Sequence, residues 1–392
     1  MQSNIWLVAA VWMGLALVAS VISIRVGISV ALIEIIVGII AGNFFGLQIA
    51  PWIDFLATFG AGLLTFLAGA EIDPVSLRRH LKPALVIGAA SFFVPFVAAG
   101  AFAYWIGGWE KNAAFIAGIS LSTTSVAVVY AVMLDTGLNR TELGKLILAA
   151  CFVTDFGTVL ALGVLFANFN GWLALFVVVT AVVLWYMPRM TRFVIQSVGH
   201  RISEPEVKFV FFILFLLGGL ANVAHSEAVL PAYLVGLVIA GVFVRDRVLM
   251  DRMRAIAFSL LTPFYFIKAG LFVSLPAVAS GAVIILSMLA VKMIAKGIGV
   301  WPLTRVFQFN RRDGIYTTLL MSTGLTFGTI SALFGLTNHV ITQAQYTILV
   351  TTVIGSAIVP TLIAQRLFQP ALPRIETTEE DVEIPTAPSD AT

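Results

Sequence analysis

Thirteen runs of mostly apolar residues, each long enough to cross a bilayer as an α-helix, fill almost the whole chain. A helix needs about 20 apolar residues to span the hydrocarbon core of a membrane. Only 11% of the residues are charged, whereas a soluble domain carries about 25%. We therefore predict an all-α polytopic membrane protein. The predicted spans are residues 5–24, 28–46, 55–72, 83–107, 112–134, 143–167, 171–187, 207–224, 228–244, 253–273, 276–303, 313–336 and 342–367.

The loops between these spans divide sharply by charge. If the chain crosses the membrane at every span, nineteen Lys and Arg residues fall on one side and only Lys111 on the other. Cytoplasmic loops are enriched in Lys and Arg. We therefore expect an integral protein of a bacterial inner membrane, with its N-terminus outside and its C-terminus in the cytoplasm. Residues 368–392 are rich in Pro, Glu and Thr, which predicts a disordered cytoplasmic tail.

Two predicted spans carry polar clusters at mid-membrane depth. Span 5 contains Ser-Leu-Ser-Thr-Thr-Ser at 120–125, and span 12 contains Ser-Thr-Gly-Leu-Thr-Phe-Gly-Thr at 322–329. Such clusters weaken a helix and offer partners to freed backbone groups. Because the clusters lie seven spans apart, we predict two inverted repeats, spans 1–6 and 8–13, with span 7 (171–187) as a linker and the broken helices crossing at the substrate site. The alternative is that the hydroxyls only assist helix packing.

Asp155 is the clearest functional candidate. It lies at the centre of predicted span 6, about 18 Å from either membrane surface at 1.5 Å per residue. Aspartate is too short to reach water over that distance. A charge at such a depth is costly unless it is paired or hydrated, so it marks an ion or proton pathway by default.

Three lysines and two glutamates also fall inside spans. Lys292 and Lys296 lie one helical turn apart on span 11, so they share a face, and either one could neutralise Asp155. Lys268 lies near the end of span 10, where its side chain either extends outward to water or serves the site. Glu34 in span 2 and Glu71 near the end of span 3 are possible accessory residues, with packing or helix-end roles as the alternative.

The chain resembles the monovalent cation/proton antiporters of the second superfamily branch, which includes bacterial sodium/proton antiporters and glutathione-gated potassium efflux systems. The resemblance covers residues 5–367 and is carried by four stretches. They are Ile33-Glu34-Ile35-Ile36-Val37-Gly38-Ile39-Ile40-Ala41-Gly42, Phe66-Leu67-Ala68-Gly69-Ala70-Glu71-Ile72, Thr124-Ser125 on the broken span 5, and Thr154-Asp155 on span 6.

This resemblance implies a homodimer in which an elevator-like domain carries the ion past a scaffold. It also implies that Asp155 binds a cation and a proton in competition, and that a lysine on span 11 pairs with it, at Lys296 or alternatively Lys292. Three positions depart from the family pattern: Thr154 replaces an Asp, Asn or Gln, Thr326 stands where many members have a glutamate, and Lys268 replaces an apolar residue.

The leading hypothesis is exchange of a monovalent cation, Na⁺ or K⁺, for H⁺ at Asp155, with Thr154, Thr124 and Ser125 supplying oxygen ligands that suit hard cations. One carboxylate indicates one charge per proton, which predicts electroneutral exchange. An alternative keeps the fold but transports an anion on Lys268, Lys292 or Lys296. A passive channel is a further alternative, but channels usually need rings of repeated chemistry, and the sequence suggests none beyond possible dimerisation. A single cysteine and no paired histidines argue against a metal enzyme, and no second catalytic Asp or His accompanies Asp155 at depth. We expect no enzyme, no cofactor and no nucleic-acid partner.

Overall fold

A computed structural model describes residues 4–26, 29–70, 72, 81–138, 141–166, 171–199, 201–224, 229–245 and 247–370, and every regular element in these ranges is helical. The predicted tail at 371–392 lies outside the described residues. The helices are α1 Ile5–Val26, α2 Val30–Phe45, α3 Pro51–Ala70, α4 Leu81–Ala101, α5 Lys111–Ser122, α6 Val126–Thr136, α7 Glu142–Leu165, α8 Gly171–Val198, α9 Pro205–Val223, α10 Val229–Arg245, α11 Arg247–Ile256, α12 Thr262–Leu271, α13 Leu275–Ser280, α14 Ala282–Val306, α15 Arg311–Met321, α16 Thr326–Thr337 and α17 Gln343–Leu367. π-Helical turns at Phe102–Ile106 and Ala257–Leu261 extend α4 and join α11 to α12.

Several helices begin at side chains that cap free backbone N–H groups. The Thr141 hydroxyl accepts a hydrogen bond from the Gly144 amide at the start of α7. Asn310 caps α15 in the same way through the Asp313 amide. Thr342 and Gln345 form a reciprocal capping box at the start of α17. These caps fix where the long apolar helices begin, since the first four N–H groups of a helix have no partner inside it.

The helices pack as two bundles. The flanking bundle contains α1–α3 and α8–α12, and the crossing bundle contains α4–α7 and α13–α17. The main contact between the bundles is that of α10 with α7, the helix that carries Asp155. Each bundle draws helices from both halves of the chain. The division into inverted repeats stays a prediction.

The predicted spans agree with the helices in most places. Predicted spans 5 and 12 are each interrupted, as expected, whereas α8 continues eleven residues beyond the predicted end of span 7 at 187. The extra length includes Arg189 and Arg192, so these two residues belong to the helix rather than to the loop in which the sequence places them. Nine helices within the described residues are long and apolar enough to cross a membrane. The count of thirteen crossings stays a prediction.

Glycines bring helices of the flanking bundle into close contact. A methyl group on Gly38 of α2 would fall on the Ile267 carbonyl of α12, and one on Gly270 would fall on the Ile35 carbonyl. Small residues allow such backbone approach in membrane helices, where van der Waals packing replaces the hydrophobic driving force. The Gly-rich stretch of α2 therefore serves helix packing, and α12, which carries Lys268, is held firmly against it.

Candidate functional site

The two broken helices meet at their interruptions. The first break, residues 123–125, separates α5 from α6, and the second break, residues 322–325, separates α15 from α16. The Ser125 amide donates a hydrogen bond of 3.2 Å to the Thr323 carbonyl. The Thr124 hydroxyl donates one of 2.9 Å to the Met321 carbonyl. Backbone groups freed by one break are thus satisfied by the other, as apolar surroundings require, and the predicted crossing is present.

Asp155 lies buried on α7, with 1% of its surface exposed. Its Oδ1 atom has no hydrogen-bond partner among the described residues. The neighbouring Thr154 is fully buried, and its hydroxyl donates to the Cys151 carbonyl at 2.7 Å, which leaves the hydroxyl oxygen free to accept. A buried carboxylate oxygen without a partner is costly, so this position is suited to hold a proton or a cation.

Lys296 is anchored at the first break. Its ammonium donates to the Ser91 hydroxyl at 2.8 Å, the Ser122 carbonyl at 2.7 Å and the Thr124 hydroxyl at 3.0 Å. Ser122 is the last residue of α5, so the positive charge faces the negative end of that half-helix. Lys296 also acts electrostatically on Asp155, but within the described residues no ion pair within 4.0 Å is recorded between them. The direct pairing stays a prediction.

Lys292 lies at the second break. It is fully buried, and its ammonium donates to the Ser356 hydroxyl of α17 at 2.9 Å. A side chain at Gly324, inside the second break, would collide with this ammonium and come within 3.1 Å of the Thr123 hydroxyl. The absence of a side chain at Gly324 therefore lets the Lys292 charge approach the interrupted backbone. Lys292 and Lys296, which the sequence places on one helix face, therefore lie at different breaks.

Tyr233 connects the two bundles next to Asp155. It projects from α10, is buried, and its hydroxyl donates to the Phe152 carbonyl of α7 at 3.1 Å. Its ring also contacts Phe156 and Phe327, and it lies within electrostatic range of Asp155. Tyr233 therefore ties α10 of the flanking bundle to α7 close to Asp155.

The remaining predicted residues lie away from the crossing or outside the description. Glu34 is buried on α2 with its Oε2 atom unpartnered, but α2 packs mainly on α1 and α12. Glu71 lies outside the described residues. Thr326 is the first residue of α16 and half-buried, and Ser125 lies in the first break with its hydroxyl accepting from the Val128 amide at 3.4 Å.

Lys268 does not join the crossing. Its ammonium forms an ion pair with Asp54 in the first turn of α3, so both partners belong to the flanking bundle. The Lys268 side chain is 6% exposed and the Asp54 side chain 57% exposed. Lys268 is thus paired with a carboxylate of the flanking bundle while its own side chain stays nearly buried.

Sequence analysis missed four residues of this arrangement: Ser91, Ser356, Tyr233 and Asp54. Single serines and tyrosines in apolar spans carry no signal of their own, because their partners come from distant helices. Asp54 lies one residue before the predicted start of span 3 at 55, a position typical of an interfacial residue. The sequence offers one hint of the role of Asp54: Lys268 lies near the end of a span and needs an anionic partner.

The side chains at the crossing suit only a few kinds of ligand. The described residues contain no group of three or more His, Cys, Asp and Glu side chains that could hold a metal ion. One carboxylate among hydroxyl and carbonyl oxygens suits a weakly held hard cation or a proton. The same oxygen atom cannot hold both at once, so occupation by one excludes the other.

Comparisons with known proteins agree with this geometry. The family model described as "Sodium/hydrogen exchanger, transmembrane" matches residues 13–369. The chain is 25% identical over 354 residues to a "Probable Na(+)/H(+) antiporter 3" of Methanocaldococcus jannaschii, covering 85% of this chain and 89% of that one. It is 24% identical over 369 residues to a "Na(+)/H(+) antiporter" of Enterococcus hirae, covering 88% of this chain and 93% of the relative. The solved structure of the sodium proton antiporter MjNhaP1 from M. jannaschii at pH 8 superposes with a TM-score of 0.69 at 16% identity, covering 93% of this chain and all of that chain. That likeness establishes the fold.

Proposed function

The chain belongs to the sodium/hydrogen exchanger family, and from that premise we propose that it is a secondary transporter exchanging a monovalent cation for H⁺ across a membrane. The described helices that are long and apolar enough to span a bilayer support this. The names of the relatives favour Na⁺ over K⁺ as the cation. The proposed topology has the N-terminus outside and the C-terminus in the cytoplasm of a bacterial inner membrane, as the loop charges predict.

Asp155 is the shared site for the cation and the proton in this proposal. The observation that carries it is the buried Asp155 carboxylate with an unpartnered oxygen. A proton neutralises that carboxylate in one half of the cycle and a cation does so in the other, so the charge never crosses the membrane unpaired. Competition for one group then couples the two fluxes.

Oxygen atoms of neighbouring residues complete the cation's coordination. Thr154 adjoins Asp155 on α7 and has an acceptor oxygen free. Thr124 and Ser125 lie in the first break, where backbone carbonyls are released from helical hydrogen bonding. The Thr124 hydroxyl is engaged by Lys296 and by the Met321 carbonyl in this conformation, so its use as a ligand requires Lys296 to move.

The exchange is electroneutral in this proposal. Asp155 is the one carboxylate at the crossing among the described residues, while Lys292 and Lys296 are held by neutral oxygen acceptors. If both lysines keep their charge through the cycle, the carboxylate carries either one cation or one proton. One positive charge then moves in each direction.

Movement of one bundle past the other provides alternating access. The two bundles have separate packing, and their main contact is that of α10 with α7 at Tyr233 and Phe152. The crossing bundle carries Asp155 and both breaks, and we assign it the moving role, with the flanking bundle as the scaffold. A homodimer built on the flanking bundle would hold that scaffold still in the membrane.

The test is transport by the purified protein in liposomes that contain a pH-sensitive dye. A pH gradient is imposed, and Na⁺, K⁺, Li⁺ or choline is added outside, for the wild type and for Asp155→Asn. The proposal expects a pH change with one or more of the alkali cations, none with choline, and none with Asp155→Asn. Transport that follows the anion and ignores the cation would instead indicate an anion carrier.

A further inference from the structure

A second charged feature lies at the boundary between the two bundles. A cleft of about 230 Å³ opens between α3, α9, α10 and α12 on one side and α16 on the other. Lys268 and the buried Tyr265, whose hydroxyl has no partner among the described residues, line its flanking wall. Phe334 and Thr337 line the opposite wall on α16. The cleft therefore separates the bundle proposed to move from the bundle proposed to stay.

Asp54 pairs with the lining residue Lys268, which puts its exposed carboxylate at the mouth of this cleft. It precedes the lining residues Ala57 and Thr58 by about one helical turn on α3, and its side chain is 57% exposed. Lys268 lines the cleft and forms an ion pair with the Asp54 carboxylate, while its own side chain is only 6% exposed. The pair thus places a buried positive charge behind an exposed negative one, at the entrance of a water-accessible gap.

We propose that the Lys268–Asp54 ion pair sets the affinity for the transported cation on this face of the membrane, with the ammonium of Lys268 competing with the cation for the Asp54 carboxylate. The inference rests on the proposed cation/proton exchange. Asp54 without Lys268 is a free carboxylate that concentrates cations at the cleft mouth. Lys268 without Asp54 is an uncompensated positive charge that repels them. The two residues therefore act in opposite directions.

Opposite effects separate this role from a structural one. If the pair only ties α12 to α3, loss of either partner harms transport in the same way. If it tunes affinity, Lys268→Met lowers the KM for the cation and Asp54→Asn raises it. At separations of several ångströms in a partly aqueous cleft, one unit charge changes the KM by about two- to fivefold. The turnover rate changes little, because Asp155 is untouched.

The experiment uses the full chain in right-side-out and inside-out membrane vesicles, with Na⁺ as the probe. KM and maximum rate are measured on each face for the wild type, Lys268→Met, Asp54→Asn, the double variant and the charge-preserving control Lys268→Arg. The proposal expects opposite KM shifts in the two single variants on one face only, the face where α3 begins and the outer face in the proposed topology. The double variant should lie between them, and Lys268→Arg should match the wild type. Added choline chloride should shrink the shifts, since salt screens exposed charges.

Two results overturn the inference. One is a KM shift of the same sign in both single variants, and the other is an equal shift on both faces. Failure of the proposed function is a separate result, because the wild type itself would then show no cation-driven pH change in either vesicle preparation.

Discussion

Lys292 and Lys296, one helical turn apart on α14, lie at the breaks of two different interrupted helices. Lys296 donates to the Ser122 carbonyl at the end of α5, and Lys292 lies against Gly324 in the second break. Two ammonium groups on one helix face thus lie at different breaks: Lys296 bonds to the end of α5, and Lys292 bonds to Ser356 of α17 beside Gly324. The Lys296 charge faces the negative end of a half-helix.

The two lysines should differ in their contribution to stability. Lys296 makes three hydrogen bonds and Lys292 makes one recorded hydrogen bond. A hydrogen bond to a charged group contributes about 1.5–3 kcal/mol. Lys296→Met should therefore lower the thermal midpoint of the detergent-purified protein by several degrees more than Lys292→Met. The matched pair removes the same chemical group from the same helix, and equal losses would contradict the anchoring role of Lys296.

The hydrogen bond between the breaks should matter more than one of similar length inside a helix. Thr124→Val removes both the donor to the Met321 carbonyl and one acceptor of Lys296, and the unsatisfied Met321 acceptor alone costs about 1–3 kcal/mol. The control is Thr352→Val, whose buried hydroxyl donates to the Ile348 carbonyl one turn earlier in α17 at 2.8 Å. We expect a lower turnover rate in liposomes for Thr124→Val than for the control. Indistinguishable rates would show that the crossing does not depend on this bond.

Close packing of α2 on α12 gives a prediction about stability. Gly270→Ala would place a methyl group on the Ile35 carbonyl, and such overpacking costs about 1–3 kcal/mol. Gly241→Ala on α10 is the control, since no atom lies within 4 Å of its added methyl group. Thermal unfolding followed by tryptophan fluorescence should show a lower midpoint for Gly270→Ala alone. Equal midpoints would mean that the two helices can separate at no cost.

Electroneutral exchange predicts that transport is insensitive to membrane voltage. Liposomes with K⁺ and valinomycin clamp the voltage at a chosen value while Na⁺-driven pH changes are followed. The initial rate should stay constant between zero and a strongly negative interior potential, because one positive charge crosses in each direction. A rate that changes steeply with voltage would show that net charge crosses in each cycle and would contradict electroneutral exchange.

The sequence predicts those features that are visible within one span. An aspartate in the middle of an apolar run and a polar cluster inside a span are both costly in lipid, so Asp155 and the clusters at 120–125 and 322–329, within which the breaks lie, could be located before the structure. The partners of the lysines could not. Ser91 and Ser356 are ordinary serines in apolar helices, and only the packing of α4 and α17 on α14 brings them to Lys296 and Lys292.

Helix ends and charge partners were harder to predict for a related reason. The continuation of α8 to Val198 depends on residues that are polar enough to resemble a loop. The partner of Lys268 is more than two hundred residues away at Asp54, so sequence spacing cannot reveal it. Glu34 remains a buried carboxyl group whose position on α2, away from the breaks, does not place it in the proposed exchange.

Equilibrium binding of radioactive ²²Na⁺ to the purified protein at a series of pH values tests the role of Asp155 most directly. If a proton and Na⁺ compete for that carboxylate, the apparent Kd for Na⁺ rises as the pH falls. Once the carboxyl group is mostly protonated, the rise is about tenfold per pH unit, because one proton must leave for each Na⁺ that binds; each tenfold step is 1.4 kcal/mol. Asp155→Asn should show no saturable binding at any pH while keeping the wild-type thermal midpoint within a few degrees. Saturable, pH-dependent binding that survives in Asp155→Asn would contradict the account.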